Sequence, residues 1–303
     1  MKPNVYVTGC ASDFCNQGTR ATARDDALHQ GRGNPLRLPW RFAFLLLVML
    51  CSVISVSAAA PQATAPVPCS GCWHPALNTS WQWQLTGKID QSFNVSMYDI
   101  DMFDNSASVV RELHNAGRVV ICYIDAGTWE NWRPDAKKFP PSVLGKNNGW
   151  PGERWLDIRQ LSILEPIMQA RINLCKSKGF DGVEFDNVDG YSNNTGFPLT
   201  YNDQIAYNTW LANQAHANNL SVALKNDLGQ VKDLLPYFDW ALDEQCFQYQ
   251  ECNKLLPFIN ANKAVMEVEY KLAPSQFCAK ANQMNFNSLK KHLNLGSYRV
   301  ACR

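Results

Sequence analysis

Carboxylate side chains recur where short apolar segments of this sequence end. Gly182–Asn187 reads GVEFDN, and Asp239–Glu244 reads DWALDE. Two carboxyl groups that flank a glycosidic bond can hydrolyse it, because one attacks or stabilises the anomeric carbon and the other protonates the leaving oxygen. Burial and neighbouring charges can hold the two pKa values apart, as these roles require. The segment ends therefore predict a working pair of carboxylates, with Asp186 and Glu244 as the candidates.

Strand geometry separates these candidates from their neighbours. Successive side chains of a strand point to opposite faces, so Glu184 and Asp186 share one face. Asp186 lies nearer the end of the strand, where it can meet a substrate, and Glu184 lies about 6–7 Å deeper. A buried carboxylate needs a partner, and we expect Lys225, late in the next strand, to supply it. By the same alternation Glu244 shares a face with Trp240 and Leu242.

Other chemistries find less support in the sequence. Acidic strand ends can also bind a metal ion, cap helices or lie in surface loops. The five histidines are scattered without metal-ligand spacing, and no G-x-S-x-G or H-E-x-x-H motif occurs. A formal net charge of +1 gives no field that would favour nucleic acid. We therefore predict no metal, no cofactor and no nucleic-acid partner.

Strand-like and helix-like segments alternate along the rest of the chain. Helices are predicted from the N-cap Ser106 to near Gly117, over Glu165–Ser177 and over Asp203–Asn218. Eight strands over about 235 residues favour an α/β fold of the (β/α)₈ TIM-barrel type, in which active sites lie at the C-terminal ends of the strands. The predicted strands are Trp81–Thr86, Val95–Ile100, Val119–Asp125, Gly182–Asn187, Ser221–Asn226, Asp239–Glu244 and Ala264–Tyr270, with a last strand near Phe286–Leu289 or further on.

An N-terminal hydrophobic segment precedes the predicted barrel. Residues 42–60 are uncharged, follow Arg41 and end in small residues, as in a cleaved signal peptide or a type II signal anchor. Both alternatives place the barrel outside the cytoplasm, secreted or at the cell surface. We expect a polar extension at 1–41, the hydrophobic segment at 42–60, a linker at 61–68 and the barrel domain at 69–303.

Cysteines and glycosylation sequons support export. Eight cysteines follow the apolar segment, as expected for a disulfide-bonded protein in an oxidising compartment. We expect pairs between Cys69 and Cys72, Cys246 and Cys252, and Cys122 and Cys175. Four N-x-S/T acceptor sequences lie in the same region and begin at Asn78, Asn94, Asn193 and Asn219.

Aromatic residues accompany the predicted strand ends and the loops that follow them. Aromatic rings offer a face to sugars and attract cationic groups such as ammonium. Many of these rings could equally serve core packing. The aromatic residues at these positions are Trp81, Trp83, Tyr98, Tyr123, Trp129, Trp132, Trp150, Trp155 and Tyr270.

Several runs of this sequence resemble glycoside hydrolase family 114. The resemblance spans about residues 72–270 and is carried by WQWQLTGKID (Trp81–Asp90), WPGERWLDIR (Trp150–Arg159), GFDGVEFDNVDGY (Gly179–Tyr191), ALKND (Ala223–Asp227) and DWALDEQCFQYQEC (Asp239–Cys252). It implies a retaining endo-α-1,4-galactosaminidase that cleaves galactosamine-rich polysaccharide. It also implies that Asp186 is the nucleophile and Glu244 the general acid/base, about 5–5.5 Å apart. Phe185 and Asp125 depart from the family pattern.

A polycationic substrate suits a mouth rich in carboxylates, because the negative potential steers ammonium groups toward it. The nearest alternatives are an α-galactosidase or α-N-acetylgalactosaminidase, and a noncatalytic polysaccharide-binding protein at the cell surface. We expect a monomer whose partner is the polysaccharide. The candidate substrate-binding residues are Trp83, Tyr98, Asp99, Asp101, Tyr123, Asp125, Glu184, Lys225, Asn226, Glu269 and Tyr270.

Overall fold

The computed structural model describes residues 64–303. The predicted extension at 1–41, the hydrophobic segment at 42–60 and the start of the linker therefore lie outside the described residues. From residue 64 onward, no helix is long and apolar enough to cross a membrane.

Eight parallel strands form a curled sheet in which neighbours in space follow the order of the chain. The predicted parallel sheet is therefore confirmed. The boundaries of the first seven predicted strands agree with the structure to within two residues, and the last strand lies at the first of its two predicted places. A ninth, antiparallel strand, β12, pairs with β11. The strands of this sheet are β1 (Trp81–Gln84), β2 (Met97–Asp101), β3 (Val119–Asp125), β7 (Gly182–Asp186), β8 (Ser221–Lys225), β9 (Trp240–Glu244), β10 (Val265–Glu269), β11 (Asn287–Lys290) and β12 (Val300–Ala301).

The two ends of the curled sheet meet through the C-terminal segment. The indole of Trp81 in β1 donates to the carbonyl of Asn287 in β11, at 2.8 Å. After β11 the chain returns past β1, where the Leu85 amide donates to the Leu295 carbonyl at 2.9 Å. Gln82 donates to the Ser297 carbonyl at 2.8 Å. The order of the strands is that of a TIM barrel, but these contacts replace a direct ladder between β1 and β11.

Helices connect most consecutive strands, but β1 reaches β2 through a loop, which departs from a regular (β/α)₈ repeat. The three predicted helices are confirmed as α1, α2 and α3. Thr200 caps α3 in a capping box, in which the side chains of Thr200 and Asp203 each accept a hydrogen bond from the other's backbone amide. The helices are α1 (Ala107–Asn115), α2 (Leu161–Lys178), α3 (Tyr201–Ala217), α4 (Val231–Leu234), α5 (Leu256–Asn260) and α6 (Pro274–Gln283), with 3₁₀ turns at Ala136–Lys138, Pro141–Val143, Gly190–Ser192 and Cys252–Leu255.

A small antiparallel sheet between β3 and α2 was not predicted from the sequence. It contains β4 (Thr128–Glu130), β5 (Leu144–Asn147) and β6 (Glu153–Leu156) in the order β4-β6-β5. Strands of three or four residues are too short to show a clear alternation of apolar and polar residues. We call residues 126–160 the insert. It begins at the C-terminal end of β3, so it belongs to the face where the predicted active site lies.

Side chains of the parallel strands divide between two apolar clusters. One cluster lies within the curl of the sheet, and the other between the sheet and the helices. Trp240 and Leu242 of β9 belong to the inner cluster, while Ala241 belongs to the outer one. Glu244 therefore projects to the inner side, as strand alternation predicted.

Four disulfides tie the described domain together. The three predicted pairs are present: Cys69–Cys72, Cys122–Cys175 and Cys246–Cys252. A fourth, Cys278–Cys302, joins α6 to the C-terminal segment. The Cys246–Cys252 bond closes the loop that follows Glu244, and Cys122–Cys175 fixes α2 against β3.

Candidate active site

Asp186 and Glu244 meet at a single buried lysine. The Lys225 ammonium lies 2.7 Å from Asp186 Oδ1 and 2.7 Å from Glu244 Oε2. Lys225 itself is only 1% exposed, whereas the side chains of Asp186 and Glu244 are 19% and 24% exposed. The structure therefore brings the two predicted carboxylates together at the C-terminal ends of β7 and β9. Because one oxygen of each contacts the same nitrogen, these two oxygens are at most about 5.4 Å apart.

The surroundings of Asp186 keep its carboxylate ionised. The hydroxyl of Tyr123 donates to Oδ2 at 2.7 Å, and the backbone amide of Asn187 donates to Oδ1 at 2.8 Å. Burial acts to raise the pKa of Asp186, but the charge of Lys225 and these hydrogen bonds outweigh it, so the pKa lies below its usual value. Tyr123 and Lys225 were both predicted for the site, and here they stabilise the candidate nucleophile.

Lys225 holds its positive charge although it is buried. Burial acts to lower its pKa, but Asp186 and Glu244 raise it well above the usual value. Its ammonium also lies 5.1 Å from the centre of the Trp83 ring, within cation–π range. The predicted pairing with Glu184 is the weaker contact, at 3.7 Å, because Asp186 and Glu244 are nearer.

Glu244 has a second partner in Tyr270, whose hydroxyl donates a hydrogen bond to Oε1. Burial, and then the charge of Glu244, raise the pKa of this phenol well above its usual value, so Tyr270 keeps its proton. The backbone amide of Glu244 donates to Asn226 Oδ1 at 3.0 Å. Tyr270 thus orients the carboxyl group of Glu244, and Asn226 fixes its backbone.

Below this centre lies a second, fully buried pair of carboxyl groups, Glu184 and Asp99. The indole of Trp83 donates to Glu184 Oε2 at 3.1 Å. Burial raises the pKa of Asp99 to about 7, although the positive charge of Lys225 acts against this. Burial and the charge of Asp99 raise the pKa of Glu184 well above its usual value. Burial therefore favours the neutral form of both carboxyl groups, and the pair is less negative than the sequence suggested.

Asp101 and Asp125 lie at the ends of β2 and β3, engaged by other side chains. Arg133 of the insert binds Asp101 through two hydrogen bonds of 2.9 and 2.5 Å. Asp125 accepts hydrogen bonds from Thr128 and, at 3.0 Å, from Asn187. Burial, and then neighbouring carboxylates of the insert, raise the pKa of Asp125 well above its usual value. Both side chains therefore anchor the insert to the sheet.

Two of the predicted site residues lie on the other side of the sheet. Tyr98 belongs to the outer apolar cluster, and its hydroxyl donates to the carbonyls of Asp90 and Phe93. Glu269 accepts the backbone amides of Phe247 and Gln248 at 2.9 and 3.0 Å. The structure therefore does not bring Tyr98 or Glu269 to the candidate active site.

Comparison with known proteins identifies the family. The model of "Glycoside-hydrolase family GH114" matches residues 61–303. The chain belongs to this family. The resemblance noted in the sequence, and with it the prediction of a glycoside hydrolase, is therefore confirmed at the level of the family.

Solved structures show the same fold as this GH114 chain. Ega3 of Aspergillus fumigatus, crystallised in complex with galactosamine, has 38% sequence identity and a TM-score of 0.74, over 79% of this chain and 100% of that one. The glycoside hydrolase domain of PelA from Pseudomonas aeruginosa has 11% identity and a TM-score of 0.59, over 73% and 98%. An uncharacterized protein of Deinococcus radiodurans is 27% identical over 56% of this chain and 66% of its own length.

The insert of this GH114 chain supplies groups that the sequence did not single out. Arg133 compensates the buried charge of Asp101 and also donates to Glu130 at 2.5 Å. The Glu130-x-x-Arg133 spacing was the available signal, but it shows a local ion pair and gives no indication of Asp101. Asn187 links the strand of Asp186 to Asp125, and it follows Asp186 directly in the sequence.

Within residues 64–303, one set of carboxylates is close enough to share a metal ion. The carboxylate oxygens of Asp125, Glu130 and Glu153 lie within 4.8 Å of one another. Each of these side chains already has a protein partner, respectively Thr128, Arg133 and Asn148. We therefore assign no metal to this set.

Proposed function

We propose that this protein is a retaining endo-α-1,4-galactosaminidase that hydrolyses galactosamine-rich polysaccharide. The observation that carries the proposal is the shared Lys225, which keeps the nearest oxygens of Asp186 and Glu244 within about 5.4 Å of each other. Retaining glycosidases hold their two carboxyl groups about 5–5.5 Å apart, whereas inverting enzymes need about 6.5–9.5 Å to admit a water molecule. The short separation supports direct attack by a carboxylate.

Asp186 is the proposed nucleophile. One oxygen of its ionised carboxylate would form a bond to the anomeric carbon while the glycosidic C–O bond breaks, giving a covalent glycosyl-enzyme. Lys225, Tyr123 and the Asn187 amide favour the ionised form that this step requires. The electron pair of the broken bond leaves with the glycosidic oxygen.

Glu244 is the proposed general acid and base. In the first step its protonated form would give a proton to the departing oxygen. In the second step its carboxylate would take a proton from the water that attacks the anomeric carbon, and Asp186 is released as a carboxylate. The hydroxyl of Tyr270 and the ammonium of Lys225 hold the two Glu244 oxygens in place.

The choice of substrate rests on family membership and on the galactosamine bound to Ega3. Burial favours the neutral form of several inner carboxyl groups. We therefore assign recognition of the substrate's ammonium group to the more accessible carboxylates around Asp186 and Glu244. An α-galactosidase or α-N-acetylgalactosaminidase would instead prefer substrates without a free amine. Comparing free-amine with N-acetylated α-1,4-linked oligomers decides between these specificities.

Two isosteric variants test the catalytic assignment. We expect Asp186→Asn and Glu244→Gln to fold normally and to lose nearly all cleavage of the deacetylated polymer, because neither amide can perform the chemistry of the carboxylate. NMR of the first-formed product should show the α-anomer for the wild type. Full activity in either variant would refute its proposed role, and a β-anomer would refute retention. Binding of the polymer without product release by the wild type would favour a noncatalytic polysaccharide-binding protein.

We further propose that the domain works outside the cell, as a monomer. Its four disulfides suit an oxidising compartment, and the acceptor asparagines of all four sequons are exposed: Asn78, Asn94, Asn193 and Asn219. Treating protein from a eukaryotic secretory host with peptide N-glycosidase should convert these asparagines to aspartate, as read by mass spectrometry. N-terminal sequencing of the secreted protein distinguishes a cleaved signal peptide from an anchor at 42–60.

A further inference from the structure

Two large aromatic side chains of the insert face solvent at one end of its small sheet. Trp132 is 41% exposed and Trp150 is 42% exposed. Glu130, the last residue of β4, pairs with Glu153, the first residue of β6. The segment after β4 and the turn before β6 therefore lie at the same end of the sheet, and they carry the two tryptophans.

Local packing fixes the two tryptophans in position. Gly152 has φ of 86°, and a Cβ atom on it would lie 2.9 Å from Cζ3 of Trp132. The ring of Trp132 therefore packs directly against the turn that carries Trp150. That turn is held by Asn147, which donates to the Trp150 carbonyl at 2.6 Å, and by Asn148, which accepts from the Trp150 amide at 3.1 Å.

The insert is continuous with the candidate active site. A Cβ atom on Gly127, at the start of the insert, would lie 1.6 Å from the carbonyl oxygen of Asn187, so the backbones of the insert and of the β7 loop are in close contact. The Asn187 side chain also donates to Asp125 at 3.0 Å. Asn187 follows Asp186 directly, so a polymer leaving the catalytic centre on this side reaches the insert.

The chemistry of this surface suits a sugar that carries an ammonium group. Exposed indole rings offer flat apolar faces and attract cations through their π-electrons. Glu153 follows Gly152 in the chain and is only partly buried, and its carboxylate accepts a hydrogen bond from Asn148 of the same turn at 2.7 Å. We propose that Trp132 and Trp150 form a stacking subsite that binds units of the cationic polysaccharide remote from the bond that is cleaved. This subsite rests on the proposed function.

Kinetics on long and short substrates test the subsite. We expect Trp132→Ala and Trp150→Ala each to raise the KM for the deacetylated polymer about two- to fivefold, as expected for loss of one exposed cation–π contact. The kcat should stay unchanged, because a remote subsite binds substrate and transition state equally. The shortest galactosamine oligomer that the wild type cleaves should show an unchanged kcat/KM.

Three further variants control the interpretation. Trp132→Phe and Trp150→Phe keep a ring and should retain a KM closer to that of the wild type. Tyr298→Ala removes a ring that is also 42% exposed but belongs to the C-terminal segment, so it should leave the KM unchanged. Circular dichroism establishes that each variant is folded.

The possible results separate the subsite from the proposed function. A wild-type KM for the polymer in the folded Trp132→Ala and Trp150→Ala variants overturns the subsite while the galactosaminidase assignment stands. An equal loss on polymer and on the shortest oligomer also overturns it, because the tryptophans would then act on the catalytic centre. Failure of the wild type to cleave either substrate overturns the proposed function itself.

Discussion

Replacing Lys225 with methionine removes the charge shared by the two candidate catalytic carboxylates and keeps an unbranched side chain. In the native protein burial acts to raise the pKa of Asp186, and Lys225 is the strongest of the groups that lower it. An opposite charge within hydrogen-bonding range lowers the pKa of a carboxyl group by about 1–3 units. We therefore expect the pKa of Asp186 to rise by about 1–3 units in Lys225→Met.

The pH dependence of kcat/KM measures this rise in the pKa of Asp186 directly. The nucleophile must be ionised, so the low native pKa of Asp186 keeps the enzyme active toward acidic pH. In Lys225→Met the acidic limb of the profile should move upward by about 1–3 units, which is a loss of about 10- to 1000-fold below that limb. At higher pH, where Asp186 is ionised again, part of the activity should return.

The change also affects stability, which has to be measured separately. Removing one partner of a buried ion pair costs about 3–5 kcal/mol, so urea unfolding must show that Lys225→Met is folded under the assay conditions. Lys263→Met is a matched control, because Lys263 is partly buried and its ammonium donates to the carbonyls of Leu235 and Phe238. It should lower stability without moving the acidic limb. A folded Lys225→Met enzyme with the acidic limb of the wild type would refute the reasoning.

Two further predictions concern stability. Burial raises the pKa of Asp227 to about 9, so its contribution to stability is complete below its unfolded pKa near 4 and is lost as the pH rises through about 9. The slope is at most about 1.4 kcal/mol per pH unit, and Asp227→Asn should flatten the fall in unfolding free energy between pH 5 and 8; an unchanged slope would contradict this origin. The Cys122–Cys175 disulfide closes a separation of 53 residues, so replacing both cysteines with serine should cost about 4 kcal/mol in urea unfolding. A cost below about 1 kcal/mol would show that the disulfide does little to restrict the unfolded chain.

The sequence was sufficient to predict most strands of the sheet and the principal carboxylates. Each strand is a short apolar segment whose bounds depend on local pattern. The two-residue repeat of a strand placed Asp186 and Glu244 on the inner side before any contact was known. The small sheet of the insert escaped prediction because its strands are too short for a pattern to emerge.

The sequence could not predict which side chains of different strands contact one another. The prediction paired Lys225 with Glu184, since the two lie on neighbouring strands, but the folded chain places the ammonium nearer Asp186 and Glu244. The length and direction of a lysine side chain decide which carboxylate it reaches, and these depend on how the strands curl around one another.

The sequence by itself determined that this chain forms a parallel α/β sheet with carboxylates at its strand ends, because strand period and apolar pattern are local properties. Only the tertiary structure decided which of those carboxyl groups work together. Tyr270 reaches Glu244, whereas its neighbour Glu269 turns to the loop that follows β9, because a shift of one residue along a strand reverses the face. Burial then raised the pKa values of Asp99 and Glu184, and burial depends on everything packed around a residue.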